Sequence, residues 1–143
     1  MVKIHDLGEG DAEALYPLIE QLNPGMEKEY FKRVLADMRR VNIRFAGLFD
    51  HSGVLVAACS YWIGARFYCG RMMHMDSFVV DAKQRGGGIG ARLMDWIEEK
   101  AHQEGCTRII LDAYVHNAAA HRFYFRRGFS IVGFHFNKML KAE

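Results

Sequence analysis

The chain has only two prolines in 143 residues and no run biased toward proline, serine or one charge. Disorder and a flexible linker are therefore excluded as its main content. Its three cysteines, Cys59, Cys69 and Cys106, are odd in number, widely spaced and free of any C-x-x-C pair. Neither a disulfide framework nor a zinc site is expected from them, and they read as reduced thiols of a cytoplasmic protein. No apolar stretch approaches the roughly 20 residues that span a bilayer. The opening Met1-Val2-Lys3-Ile4-His5-Asp6 lacks the apolar core of a signal peptide. A dominant charge sign is missing too: 19 Lys and Arg face 17 Asp and Glu, a net charge of +2. That balance does not argue for nucleic acid, and nothing argues for a membrane partner. What remains is ordinary globular composition, half hydrophobic and a quarter charged. The length suits one domain, 1–143, with a single substantial core.

Periodicity then orders the chain. Val2 to Leu7 reads as a strand, and Asp11 as the N-cap of a helix with Leu15, Leu18, Ile19 and Leu22 on one face. Asn23-Pro24-Gly25 ends it. A second helix carries Phe31, Val34, Leu35 and Met38. The period changes at Val41–Phe49, and Asp50-His51-Ser52-Gly53 turns the chain into Val54–Trp62. After a turn region at Gly64–Gly70, Arg71 to Val80 is a third antiparallel strand. A helix from about Gly88 to Glu104 puts Ile89, Leu93, Trp96, Ile97 and Ala101 inward, and Gly105 suits its C′ position. Arg108 to Val115 is a strand. Its apolar core Ile109-Ile110-Leu111 is expected when both faces are covered. Ala118 to Arg127 is a short helix stopped by Gly128. Phe129–Val132 and His135–Leu140 complete a hairpin around Gly133. The order is β-α-α-β-β-β-α-β-α-β-β, with a parallel pair expected only between strands 71–80 and 108–115.

The centre of this order is the junction between strand 71–80 and the next helix, where four glycines fall within five residues: Gly86-Gly87-Gly88-Ile89-Gly90. A plain turn needs one or two glycines. A strand, a glycine loop and a helix N-terminus make an anion site, because the first-turn N–H groups lack partners and the helix dipole adds positive charge. A P-loop would need Gly-Lys-Ser/Thr, and Gly90-Ala91-Arg92 stands there instead. The dinucleotide pattern G-x-G-x-x-G/A is met by Gly86 to Ala91, with Asp112 about 20 residues on. The antiparallel strands before the loop and the short chain after it speak against a doubly wound sheet.

Coenzyme A is the third candidate. Arg85-x-x-Gly88-x-Gly90 after Phe78-Val79-Val80 resembles the pyrophosphate loop of the GNAT superfamily of acetyl-CoA-dependent N-acetyltransferases. Asn117-Ala118-Ala119-Ala120-His121-Arg122-Phe123-Tyr124-Phe125-Arg126-Arg127-Gly128-Phe129 resembles that family's second signature, N-x-x-A-x-x-F-Y-x-x-x-G-F. The resemblance extends over the whole chain, since the family's element order is the one read above. It implies an α+β GNAT fold: a mixed, mostly antiparallel sheet of about seven strands flanked by about four helices. It further implies acetyl-CoA as cosubstrate, no metal, and direct transfer of acetyl to a primary amine in a ternary complex. The small bacterial members that act on aminoalkyl compounds are similar in layout. Because dimerisation is common in the family, a homodimer is among the expected partners besides a small-molecule amine. Peptide amines and a catalytically silent CoA-binding module are the alternatives.

The resemblance also assigns residues. The backbone of Phe78, Val79 and Val80 would pair with the pantetheine arm as an added strand would, at a bulge the family carries there. The N–H groups of Arg85, Gly86, Gly87, Gly88, Ile89, Gly90 and Ala91 would hold the pyrophosphate. Tyr124 is the expected general acid: a phenol with an ordinary pKa near 10 stays protonated at neutral pH and can hand its proton to the departing sulfur. Asn117 would cap the helix and bond to the CoA arm. Residues 72, 74, 76, 78 and 80 are expected on one face of their strand. His74 and Asp76 on that face are the expected bases, with His116 as runner-up. Met72, Met73, Met75, Tyr61, Trp62, Phe67 and Tyr68 suit either an amine-entrance wall or ordinary packing.

Overall fold

The structure is a computed structural model and describes residues 2–141. The chain forms two compact units, one ending at Leu111 and one beginning at Asp112. In the first, a five-stranded sheet runs in the order β1 (Lys3–Asp6), β2 (Arg44–Phe49), β3 (Leu55–Arg66), β4 (Gly70–Val80), β5 (Arg108–Leu111). Every neighbouring pair is antiparallel except β4–β5, which is parallel in the register Met72↔Arg108 to Met75↔Leu111. The parallel pair needs a crossover, and α3 (Ile89–Gln103) supplies it. Helices α1 (Ala12–Leu22) and α2 (Lys28–Arg40) lie between β1 and β2 in sequence.

Each face of the sheet has its own core. Leu15, Leu18 and Ile19 of α1 and Phe31 and Leu35 of α2 cluster with Phe45, Leu55, Ala58 and Val79. On α3 the i, i+1, i+4, i+8 set Leu93, Met94, Ile97 and Ala101 is buried. Met94 joins the expected inward residues, while Ile89 and Trp96 are only half-buried. Full burial of each large apolar side chain contributes about 1.5–3 kcal/mol. Register fixes which strand residues share a face, because directly paired residues project the same way. Ser60↔Asp76 and Trp62↔His74 lie on one face, and Tyr61↔Met75 and Ile63↔Met73 on the other. Tyr61, Met72, Met73 and Met75 are all fully buried. Of the two expected roles for them, ordinary packing is the one observed. The β3–β4 hairpin runs longer than its sequence suggests, to a tip at Phe67 and Tyr68, both exposed.

A polar cluster ties β1, β2, β3 and α3. The Tyr61 hydroxyl donates to Asp6 Oδ1 at 2.5 Å, Lys100 Nζ lies 3.6 Å from Asp6 Oδ2, and Arg44 reaches Glu104 Oε1 at 3.0 Å. The Arg44 guanidinium also sits 4.9 Å from the Tyr61 ring centroid. Burial, then the bond to Asp6, raises the Tyr61 phenol well above its ordinary value. The hydrogen bond from Arg44 holds the Glu104 carboxyl below its ordinary value. A depressed carboxyl stabilises the fold above its unfolded pKa, and that contribution is lost as pH falls through the lowered folded value.

The second unit contains α4 (Ala118–Arg126). Asn117 caps it, its Oδ1 accepting from the Ala120 N–H at 3.1 Å. Gly128, at φ +90, ends it, as the sequence predicts. Three expectations need correction. β5 stops at Leu111 rather than Val115. Residues 129–132 and 135–140 form no strands, so the sheet has five strands rather than about seven. An apolar pattern supplies no ladder partner, and an isolated two-stranded hairpin is marginal in water. Ile131, Val132, Phe134, Phe136, Met139 and Leu140 are accordingly exposed. The third correction concerns β4: residues 78 and 80 leave the face of 72, 74 and 76. β3 advances two residues from Ser60 to Ala58 while β4 advances three, from Asp76 to Val79. The extra residue reverses the alternation beyond it.

Removing the Tyr61 hydroxyl tests the polar cluster. Tyr61→Phe removes the donor to the half-buried Asp6 carboxylate and is expected to cost about 1 kcal/mol in denaturant unfolding at neutral pH. A loss under about 0.3 kcal/mol would mean the bond contributes nothing net.

Candidate functional site

The site begins at the bulge. Ser77 is a non-glycine residue at positive φ, +48. That left-handed backbone costs a serine on the order of 1 kcal/mol. The neighbouring carboxylate offsets it: Asp76 Oδ1 accepts from the Ser77 N–H at 2.8 Å. Across the bulge stands Cys59, which has no direct partner on β4; its Sγ donates to the Asp76 carbonyl at 3.5 Å. Complete burial, followed by the Asp76 charge, pushes the Cys59 thiol well up. It is packed as a neutral thiol, not held as a thiolate. His74 is half-buried and stacks on Trp62, with ring centroids 5.4 Å apart and planes at 8°. His74 and Asp76 therefore share the sheet face that α1 and α2 cover. Phe78 and Val80 are half-buried and point to the other face, while Val79 packs in the α1–α2 core.

After Val80 the chain makes a 3-10 turn at Ala82–Gln84, capped by Asp81, whose Oδ1 accepts from the Lys83 N–H at 3.1 Å. The Asp81 carbonyl accepts from the Gln84 N–H at 2.8 Å. Next come the glycines. Gly86 has φ +89 and Gly88, the N-cap of α3, has φ +78. Both positions favour glycine for its freedom in this region. The first backbone bond closing α3 is donated by Arg92, to the Gly88 carbonyl at 3.1 Å. Among the described residues, the N–H groups of Arg85, Gly86, Gly87, Gly88, Ile89, Gly90 and Ala91 have no acceptor. Arg85 to Gly88 are exposed and Ile89 to Ala91 half-buried. Seven donors in succession, the last at the positive end of a four-turn helix, give this loop the chemistry to take an anion. The Arg85 side chain folds back, with Nε 3.4 Å from the Val80 carbonyl.

In the second unit, Tyr124 lies in the last turn of α4. Its ring meets Phe123 and Phe129 edge-on, each at 5.6 Å between centroids. Its carbonyl accepts from the Phe129 and Arg127 N–H groups, both at 3.0 Å. His116 stacks on Tyr114 at 5.4 Å. Sequence reading placed the loop and these motif residues on their elements. It missed Ser77 as the bulge residue, because serine is no marker for positive φ, and it missed Asp81 as a cap. An aspartate two residues before a backbone donor is the usual signal of an Asx turn and could have revealed the latter. Among the described residues no group of three or more His, Cys, Asp or Glu is placed to hold a metal ion. Among the same residues no helix is long and apolar enough to cross a membrane.

The bulged strand β4 thus runs into the row of donors, and α3 carries the chain back to the parallel strand β5. Residues 12–129 match the acetyltransferase (GNAT) family, and the chain belongs to that family. It is 35% identical over 79 residues to the aminoalkylphosphonate N-acetyltransferase of Salmonella typhimurium, a match covering 55% of this chain and 46% of that one. It is 31% identical over 83 residues to the glucosamine 6-phosphate N-acetyltransferase of Arabidopsis thaliana, covering 57% and 54%. The chain thus spans about half the length of the curated relatives it matches. The crystal structure of the Arabidopsis glucosamine-6-phosphate N-acetyltransferase superposes with TM-score 0.75 at 25% identity over 99% of both chains. AAC(6')-Iy in complex with a CoA-S-monomethyl-acetylneamine bisubstrate analogue superposes at 0.83 with 14% identity over 99% of both, a likeness of fold.

The three adjacent glycines separate backbone need from mere smallness. A Cβ at Gly86 or Gly88 meets nothing within 4 Å, so the cost of alanine there is positive φ alone. A Cβ on Gly87 makes an ordinary 3.6 Å contact with the Gln84 carbonyl, without positive φ. Gly86→Ala and Gly88→Ala are each expected to lower unfolding free energy by about 1–2 kcal/mol, and Gly87→Ala by less than about 0.5 kcal/mol. Equal effects at all three positions would contradict the assignment.

Proposed function

We propose that the chain is an acetyl-CoA-dependent N-acetyltransferase that acetylates the primary amine of a small molecule by direct attack in a ternary complex. The observation that carries the reading is the row of unpartnered N–H groups from Arg85 to Ala91 at the start of α3. A row of backbone donors fits the pyrophosphate of CoA, and the family's members use acetyl-CoA. The exposed loop and the bulge at Ser77 follow one another without a break, so an extended pantetheine arm along Phe78, Val79 and Val80 continues naturally from a diphosphate on the loop. The family match runs from residue 12 to residue 129 and so spans both compact units, which supports one catalytic domain over 1–143.

The reaction forms a C–N bond and breaks a C–S bond. The ammonium must first lose a proton, and Asp76 and His74 are the bases in this reading. One Asp76 oxygen is engaged by the Ser77 N–H. That bond fixes the carboxylate, whose second oxygen can hold the cationic amine or take a proton, directly or through water. The developing oxyanion is stabilised by a backbone N–H of the bulged segment. Tyr124 returns a proton to the departing thiolate, and Asn117 supports the CoA arm. Cys59, fully buried, is closed to substrate as a nucleophile.

Aminoalkylphosphonate and glucosamine 6-phosphate, named for two relatives, are both small amines bearing an anionic phosphorus group. They head the acceptor panel, ahead of peptide amines. The reading assigns no metal, no nucleic acid and no membrane, and it places the enzyme in the cytoplasm. A homodimer is part of it, as the family's common arrangement.

Thiol release from acetyl-CoA, followed across aminoalkylphosphonates, aminosugar phosphates, aminoglycosides, polyamines, amino acids and peptides, tests this function. At least one small amine is expected to turn over, with Tyr124→Phe lowering kcat about 10²–10³-fold. CoA binding without turnover of any amine, together with an inert Tyr124→Phe, would support the silent-module alternative instead.

A further inference from the structure

Gln21 lies near the end of α1, sixty-one residues before the turn that opens the anion cradle, yet its side chain reaches that turn. Gln21 Oε1 accepts from the Ala82 N–H at 3.0 Å, and Nε2 lies 3.5 Å from Asp81 Oδ1. With Asp81 holding the Lys83 and Gln84 N–H groups, all three donors of the turn are taken. The Asp81 N–H is in turn anchored on the Val56 carbonyl of β3 at 2.8 Å. The first unpartnered donor is therefore that of Arg85. Ala82 is exposed, and without Gln21 its N–H would be satisfied by water while the turn was free to rotate about Asp81. The Gln21 amide is the only side chain from another element that hydrogen-bonds this turn among the described residues.

We propose that Gln21 is a positioning residue for the reaction. It fixes the turn Ala82–Gln84 to α1, so that the seven donors behind it are aimed before the diphosphate arrives. The inference rests on the reading of the loop as a CoA pyrophosphate cradle. Preorganised donors lose less entropy on binding, so the contact acts on cosubstrate affinity, not on the chemical step.

Calorimetric titration with CoA, combined with thermal melting, tests it in three variants. Gln21→Ala is expected to weaken CoA binding about tenfold, the loss of roughly one hydrogen bond's worth of preorganisation. Its melting midpoint should stay within about 2 °C of the parent, because the contact is solvent-exposed. Gln21→Glu keeps the acceptor for Ala82 but sets a second carboxylate against Asp81, so binding at pH 8 should weaken further. Gln21→Met keeps the length of the side chain without either polar atom and is expected to match Gln21→Ala in CoA affinity, with the loss appearing in KM for acetyl-CoA and not in kcat. Parent-like CoA affinity in Gln21→Ala or Gln21→Met, or a loss confined to kcat, overturns the proposal. Failure of the parent itself to bind CoA overturns the cradle reading, a separate outcome.

Discussion

Seven consecutive backbone donors without an acceptor are an expensive thing to build, and much of the first unit serves to hold them. Backbone polar groups that stay unpaired must remain at the surface or cost free energy. Here they are kept exposed or half-exposed at the one place where a helix dipole adds to their charge. Two left-handed glycines shape the loop, Asp81 and Gln21 occupy the donors before it, and α3 begins where it ends. The anchors are rigid because each belongs to an element with its own buried side: β4 through Met73, Met75 and Val79, and α3 through Leu93, Met94 and Ile97.

The bulge solves a second problem with the same economy. β4 pairs antiparallel with β3 on one side and parallel with β5 on the other, and β5 is paired only at Met72 to Met75. An extra residue at Ser77 reverses the strand's alternation there, sending Val79 into the α1–α2 core and turning Phe78 and Val80 away from it. The Asp76 carboxylate that clamps the bulge is the side chain assigned to the amine, so one residue couples backbone shape to substrate charge. That coupling makes Asp76 a poor choice for a mutation meant to probe proton transfer alone.

Local pattern carried most of the fold. The 3.6-residue spacing of Leu15, Leu18 and Ile19 and of Leu93, Ile97 and Ala101 marks helices whose stripes are buried as read. The glycine cluster marked the loop whose N–H groups lack acceptors, and the antiparallel approach to it argued against a dinucleotide site. What was not legible depended on partners. The phase shift at Ser77 arises from pairing with β3 and leaves no trace in residue type. Met72, Met73 and Met75 suited either a wall or a core, and their burial between strands and helices decided it. The apolar alternation of residues 129–140 suggested a hairpin, but a strand exists only when another strand pairs with it. Gln21 was hidden for the same reason: a glutamine late in an amphipathic helix is unremarkable until the turn it touches, sixty-one residues on, is seen beside it.

The central claim is that the Arg85–Ala91 backbone binds the diphosphate of CoA. Backbone amide NMR of the uniformly ¹⁵N-labelled protein during a CoA titration measures this donor by donor. The account predicts that the largest downfield amide proton shifts fall on the contiguous row from Arg85 to Ala91, while Ala82, Lys83 and Gln84, already bonded, move little. Saturation with CoA that leaves the amides of residues 85–91 unmoved would contradict it.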